Sequence, residues 1–364
     1  MKIKEIIQEL KRWAPPAYQE SYDNARLITG NQKEALKGVL ISLDCTEDVV
    51  EEAIQQNCNL IVAHHPIVFS GLKSLTGKNY VERTIIKAIK NDIAIYAIHT
   101  NLDNVFNGVN KKIADIIGIT NQRVLSPKSS TLSKIVTFVP KEKSKAILNK
   151  LHEAGAGQIG NYSHCSFSSE GTGTFKPNDI ANPAIGESGK TESVNEERLE
   201  LIFPSAIEAK LVTALKSAHP YEEVAYYITR LSNSNQEIGA GMVGDLQEEV
   251  PTLDFMKSIK EKFNLSVIRH TKFHKEKLKK IAVCGGAGSF LLSKAKAANA
   301  DVFITADYKY HEFFDAEDNI LILDIGHYES EVFTKELIYD RLKEKFANIA
   351  LNLSQVVTNP INYF

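Results

Sequence analysis

The sequence predicts an α/β fold in which a main α/β domain is interrupted by an inserted ferredoxin-like α+β domain. Three observations lead there. Short apolar runs alternate with helical-period segments over residues 1–129 and again over 237–364. The stretch between them, 130–236, follows the order strand, helix, strand, strand, helix, strand. The length of 364 residues also exceeds the ~100–200 residues of one domain.

The elements follow in chain order. Ile3, Ile6, Ile7, Leu10 and Trp13 recur with helical spacing, and Pro15-Pro16 stops that helix. Residues 39–43 read as a buried strand, 49–54 as a helix, 60–63 as a strand, 81–89 as a helix and 93–98 as a strand. Such alternation implies mostly parallel pairing with helices on the sheet faces. In the insert the strands fall at 135–139, 162–167, 198–203 and 224–229, with helices at 143–153 and 206–217. The polar, glycine-containing stretch 171–197 is expected to form a long mobile loop. After residue 237 the α/β pattern resumes, with strands near 242–243, 281–283, 302–304 and 320–325.

Composition narrows the function classes. Forty-three Lys and Arg face 45 Asp and Glu, so no global field recruits nucleic acid or an anionic membrane. The local basic run Lys272, Lys275, Lys277, Lys279 and Lys280, with His270 and His274, reads as a solvated surface and argues against a nucleic-acid partner. The charged amino terminus and the lack of any apolar run near ~20 residues point to a cytoplasmic protein with no membrane partner. Cys45, Cys58, Cys165 and Cys284 are far apart, which disfavours a zinc ribbon or redox dithiol; Cys58 and Cys284 read as buried thiols.

The chemistry gathers at strand ends, where ligands of α/β sheets bind. His64-His65-Pro66 directly follows the strand 60–63, and the chain must turn there for both imidazoles to share a site. His99-Thr100-Asn101-Leu102-Asp103-Asn104 follows the strand 93–98, although Asn and Asp there would equally serve an Asx turn or a helix cap. In Asp324-Ile325-Gly326-His327-Tyr328-Glu329-Ser330-Glu331 a strand gives way to a helix, and His327 and Glu331, four apart, share one face. Taken alone, each segment is a common surface feature. Together His64, His65, Asp103, His327 and Glu331 offer three imidazoles and two carboxylates, more than one tetrahedral ion needs. The set therefore points to a metal-binding α/β domain with two divalent ions per subunit, Asp103 or Glu331 bridging them, and suits Zn, Mn, Fe, Ni or Co. Gly285-Gly286-Ala287-Gly288-Ser289 lacks the lysine of a phosphate loop and reads as a tight turn.

These same segments resemble the signatures of the GTP cyclohydrolase 1 type 2 homolog family. Glu20-Ser21-Tyr22-Asp23-Asn24, Gly285-Gly286-Ala287-Gly288-Ser289, Tyr310-His311 and, in the insert, Ala218-His219-Pro220-Tyr221-Glu222-Glu223 fit as well, so the resemblance spans nearly the whole chain. Arg26 and Ala306 stand where that family usually has glycine. The resemblance implies the same five metal ligands, a homohexamer with its metal sites facing an internal cavity, and an insert akin to small trimeric signalling domains. If the site is catalytic, its physics favours hydrolysis of a small-molecule substrate, including a nucleotide: for a guanine nucleotide, activated water would attack C8 and open the imidazole ring. His99 and His311 are the candidates for moving protons. The alternative is a noncatalytic metal-binding or regulatory assembly with a ligand-sensing insert.

Overall fold

The computed structural model describes residues 1–364 and divides them into two compact units, one of residues 1–127 with 237–364 and one of residues 128–236. In the first, helix α1 (Ile3–Trp13) buries Ile3, Ile6, Ile7 and Leu10 and ends before Pro15-Pro16. Then follow β1 (Leu27–Thr29), β2 (Val39–Ser42), α2 (Glu47–Gln55), β3 (Leu60–Ala63), α3 (Tyr80–Lys90), β4 (Ala94–Ala97), the single turn α4 (Thr100–Asp103), α5 (Val109–Ile117) and β5 (Thr120–Lys128). Thr46 and Asn79 start α2 and α3 by accepting the amides of Val49 and Glu82.

Every residue of β2, β3 and β4 is buried, which accounts for their unbroken apolar runs. They pair in parallel in the middle of a five-stranded sheet ordered β1-β4-β3-β2-β15, where β15 is Leu351–Leu353. β15 is parallel to β2, whereas β1 is antiparallel to β4. Apolar side chains on the two faces of this sheet enter separate core clusters: Val39, Ile41, Leu60 and Val62 join one, Leu40, Ile61, Ala63 and Ile95 the other. Each fully buried Ile, Leu or Val contributes about 1.5–3 kcal/mol, so this layer is the rigid floor on which the strand-end residues stand.

The inserted unit runs β6 (Leu132–Pro140), α6 (Ser144–Ala154), β7 (Phe167–Phe175), β8 (Glu192–Pro204), α7 (Glu208–Ala218) and β9 (Tyr226–Leu231). Its antiparallel sheet is ordered β7-β8-β6-β9, and α6 and α7 share one core with Ile135, Leu199, Leu201 and Phe203. The order of elements is the ferredoxin-like one. Two boundaries differ from expectation. The second strand is not 162–167 but β7, and it runs through Gly171-Thr172-Gly173-Thr174; the expected loop 171–197 shrinks to 176–191 because β8 begins at Glu192. Nine registered pairs, Phe167 with Glu200 through to Phe175 with Glu192, hold this ladder despite the weak strand propensity of its glycines.

The chain returns through β10 (Asn235–Pro251), α8 (Thr252–Lys262), β11 (Arg269–His270), β12 (Lys277–Ala287), α9 (Leu292–Ala297), β13 (Val302–Ala306), β14 (Leu321–Asp324), α10 (His327–Glu331) and α11 (Thr334–Lys345). Strands β12, β13 and β14 are parallel in a six-stranded sheet ordered β11-β14-β13-β12-β10-β5, with β10 and β11 antiparallel to their neighbours β12 and β14. The main unit thus contains two sheets, each with a parallel centre and at least one antiparallel edge strand. No helix is long and apolar enough to cross a membrane.

Candidate metal centre

Three strand ends converge. Strand β3 ends at Ala63, and the bending residues after it stay bonded to the end of β2: the His64 amide donates to Ser42 and the His65 amide to Leu43, and Pro66 then ends the run. The two imidazoles come within 4.9 Å of each other, centroid to centroid, so the turn required for a shared site is present. After β4, the Asn101 side chain accepts the His99 amide and opens the turn α4, which delivers Asp103 to the same end of the sheet. After β14, Gly326 adopts φ +89° and α10 begins at His327, bringing His327 and Glu331 to one face with Nε2 and Oε2 3.1 Å apart.

Two groups of ligand atoms share Glu331, with His65, His327 and Glu331 in one and His64, Asp103 and Glu331 in the other; a third, His64 with His65 and His99, contains no carboxylate. In the first, Glu331 Oε2 lies 3.0 Å from His65 Nε2 and 3.1 Å from His327 Nε2, and the two nitrogens are 3.4 Å apart. Donors held about 2.0–2.2 Å from a tetrahedral ion stand roughly 3.3–3.6 Å from one another, so this triangle is near the right size. In the second, His64 Nε2 lies 3.6 Å from Asp103 Oδ1 and 4.0 Å from Glu331 Oε1. His64 Nε2 and Asp103 Oδ1 are buried and have no hydrogen-bond partner. Two orphaned donors aimed at one point are costly unless a cation collects them, and the residues therefore fit a metal.

Each histidine is fixed from behind. His64 Nδ1 donates to the Ile98 carbonyl at 2.8 Å, His65 Nδ1 to Asp44 at 2.8 Å and His327 Nδ1 to Asp307 at 2.7 Å. These bonds select the tautomer that turns Nε2 to the centre and raise the basicity of the imidazole. Burial pushes the His64 imidazole down to about 3. Burial also opposes charge on His65 and His327, but hydrogen bonds to Asp44 and Glu331 lift His65 to about 9, and those to Asp307 and Glu331 lift His327 to about 11. Burial and then the Glu331 carboxylate raise Asp103, while burial of Glu331 is outweighed by His327 and His65, which hold it low.

The other candidates separate. His99 borders the centre, its ring 5.3 Å from those of His64 and His65, with Nδ1 donating to Asp23 at 2.8 Å. His311 is exposed on the 3₁₀ turn 310–316, packed against Tyr310 and Phe314, and is outside both ligand groups and the cleft over them. That cleft, of about 570 Å³, is lined by Tyr22, Phe69, His99, Phe290, Tyr328 and Ile361 among others. Gly285-Gly286 is not a turn but the end of β12, running past Glu331.

Read from the sequence alone, Asp44 has no role and Gly286 only that of a tight turn. Asp44 sits two residues past β2, at the same sheet end as His64, so the strand-end rule alone could have found it. Gly286 needed the fold: it has φ +59°, and a Cβ there would lie 2.6 Å from Glu331 Oε1.

A model of the Duf34/NIF3 (NGG1p interacting factor 3) family matches residues 1–360. A Bacillus subtilis protein named GTP cyclohydrolase 1 type 2 homolog is 38% identical over 366 residues, covering 99% of this chain and 98% of its own. A Staphylococcus epidermidis protein of the same name is 38% identical over 368 residues and covers both chains fully, at 100% each. Among solved structures, a Bacillus cereus protein related to NIF3 is 38% identical with a TM-score of 0.88, over 100% of this chain and 99% of that one.

Proposed function

The chain belongs to the Duf34/NIF3 family, and on that footing we propose that it is a metal-dependent hydrolase with a dinuclear divalent-metal centre, acting on a nucleotide or a related small heterocycle. The observation that carries this reading is the shared carboxylate. Glu331 directs Oε2 at His65 and His327 and Oε1 toward His64, so one side chain serves both ligand groups. His65, His327 and Glu331 would hold one ion, and His64, Asp103 and Glu331 the other; the mixed nitrogen and oxygen set accepts Zn, Mn, Fe, Ni or Co.

Bound there, divalent ions supply Lewis-acid activation of water and of an electrophile. The protein's own groups do the rest. Five ligands shared by two ions would be too few to saturate them, and the ligand side chains His65, Asp103, His327 and Glu331 line the cleft. At its rim Tyr22 and Phe69, ring centroids 6.2 Å apart, offer apolar faces to a planar ring. With Nδ1 donating to Asp23, His99 keeps Nε2 free to take or give a proton at the reacting heterocycle. The amide bonds of His64 and His65 to β2 fix the ligand backbone before substrate arrives.

A second reading has its own observation. The inserted unit contains a cleft of about 700 Å³, lined by Phe138, Phe175, Tyr221, Tyr227, Glu196 and Arg198 among others, which favours an insert that senses a small ligand and a metal centre that does not turn over. Metal content per chain by mass spectrometry, with turnover on nucleotide and heterocycle panels, separates the two. The hydrolase reading expects near two ions in the parent protein, metal-dependent turnover, and in His327→Ala the loss of turnover and of the ion held with His65, with the fold and the homohexamer retained. Full metal loading with no turnover would favour the sensing assembly, and no metal uptake would remove both.

A further inference from the structure

The segment after β15, residues 354–364, has no regular secondary structure, yet it is tied down over its whole approach to the metal centre. Ser354 donates to Ile41 through its amide and to Glu52 through its hydroxyl, and the Gln355 amide also donates to Glu52. Val356 packs on the core cluster behind β2 and β3. The chain then reaches the ligands. Thr358 Oγ1 donates to Asp44 Oδ2 at 2.5 Å, and Asn359 Nδ2 donates to Glu329 Oε1 at 3.0 Å. Asn359, Pro360 and Ile361 line the cleft over the centre.

The position of Thr358 matters because of what Asp44 holds. Asp44 uses Oδ1 for His65 Nδ1 at 2.8 Å, so its two oxygens are divided between the strap and the imidazole. A carboxylate bonded on one oxygen alone can rotate about its Cβ–Cγ bond; bonded on both, it is fixed in plane, and the His65 ring is fixed with it. The other two ligand histidines rely on a backbone carbonyl (His64) and on Asp307 (His327).

We infer that residues 354–364 form a strap that belongs to the metal centre, with Thr358 a positioning residue that orients His65 through Asp44 and Asn359-Pro360-Ile361 forming one wall of the substrate cleft. This rests on the metal-centre reading for its consequence but not for its geometry. The strap acts on the group of His65, His327 and Glu331 and not on that of His64 and Asp103. Its loss therefore weakens one ion of the pair and leaves the other.

The test uses the full chain, Thr358→Val, Thr358→Ser and a variant ending at Val357, which keeps the Ser354 and Gln355 anchors. Zinc affinity is measured by competition with a chromogenic chelator, and carbethoxylation of His65 is followed by peptide mass spectrometry in metal-free protein. Thr358→Val and the shortened chain should weaken one of two zinc ions by about 10–100-fold, the range for partners behind a ligand. His65 should become several-fold more reactive in both, and Thr358→Ser should restore both readouts. Unchanged affinity for both ions together with unchanged His65 reactivity would overturn the strap. If the parent chain binds no zinc while His65 reactivity still rises in the variants, the strap's hold on His65 stands and the metal reading falls.

Discussion

A methyl group at position 286 would point into the space that Glu331 occupies. It would stand 2.6 Å from Oε1 and 3.1 Å from His327 Nε2, on a backbone with φ +59° that side chains other than glycine rarely adopt. Gly286→Ala must then push the shared carboxylate away from both ligand groups. We expect zinc affinity to fall at least about tenfold for both ions, with about 1–2 kcal/mol of stability lost to the left-handed backbone; chelator competition and urea unfolding of metal-free protein read the two effects separately. Retention of both ions would show that Glu331 is not shared. A matching test lies behind His327: Asp307→Ala removes the acceptor of Nδ1 and should weaken only the ion of the His65 group, by about 10–100-fold in the same titration. These two residues mark how far the site was legible. Imidazoles and carboxylates at strand ends announce themselves by type and spacing. Asp307 is an ordinary aspartate until its distance to a ligand nitrogen is known, and Gly286 acts through the atom it lacks.

Elements, too, were legible where burial dictates composition. The wholly buried β2, β3 and β4 spell themselves out in apolar runs, and α1 in its spacing. The exposed β7 carries no such signal, and the three-residue edge strands β1 and β15 are too short to show a period. The segment between His65 and α3 was equally opaque, and its order comes from one carboxylate. Glu82 Oε2 accepts the amides of Thr76, Gly77 and Lys78 and the Thr76 hydroxyl, all within 3.2 Å, closing the segment that carries Phe69 to the edge of the cleft. Those bonds, led by the Thr76 amide, lower the Glu82 carboxyl from 4.5 to about 2. A lowered carboxyl stabilises the fold above its unfolded value and loses that contribution as pH falls toward the folded one. The stability gap between the parent chain and Glu82→Gln should therefore be full at pH 6, narrow below pH 4.5 and close near pH 2. Hydrogen exchange at Thr76, Gly77 and Lys78 should be faster in the variant at pH 6. A gap independent of pH would mean that the segment is held by something other than this charge.

On the scale of the whole molecule, the inserted unit leaves and rejoins the main unit at neighbouring strands. β5 carries the chain out and β10 brings it back, side by side in the six-stranded sheet. The Gly244 position lies against the Thr120 carbonyl and that of Gly239 against Ser126, so the two strands run in opposite directions and their ends meet where the insert begins. Two antiparallel neighbours can be joined by a tight two-residue turn, for which Asn-Gly is the favoured sequence. All five proposed ligands, the residues behind them and the strap lie within residues 1–127 and 237–364. We propose on this basis that residues 128–236 are a separable domain. Replacing them with Asn-Gly should then give a chain that unfolds in one cooperative transition and binds two zinc ions with affinities within about threefold of the parent, since loop closure across so short a turn costs little. If turnover also survives, the insert regulates or assembles the enzyme without completing its site. If the shortened chain folds but loses an ion, the insert supplies something to the centre, and the separation into two independent domains fails.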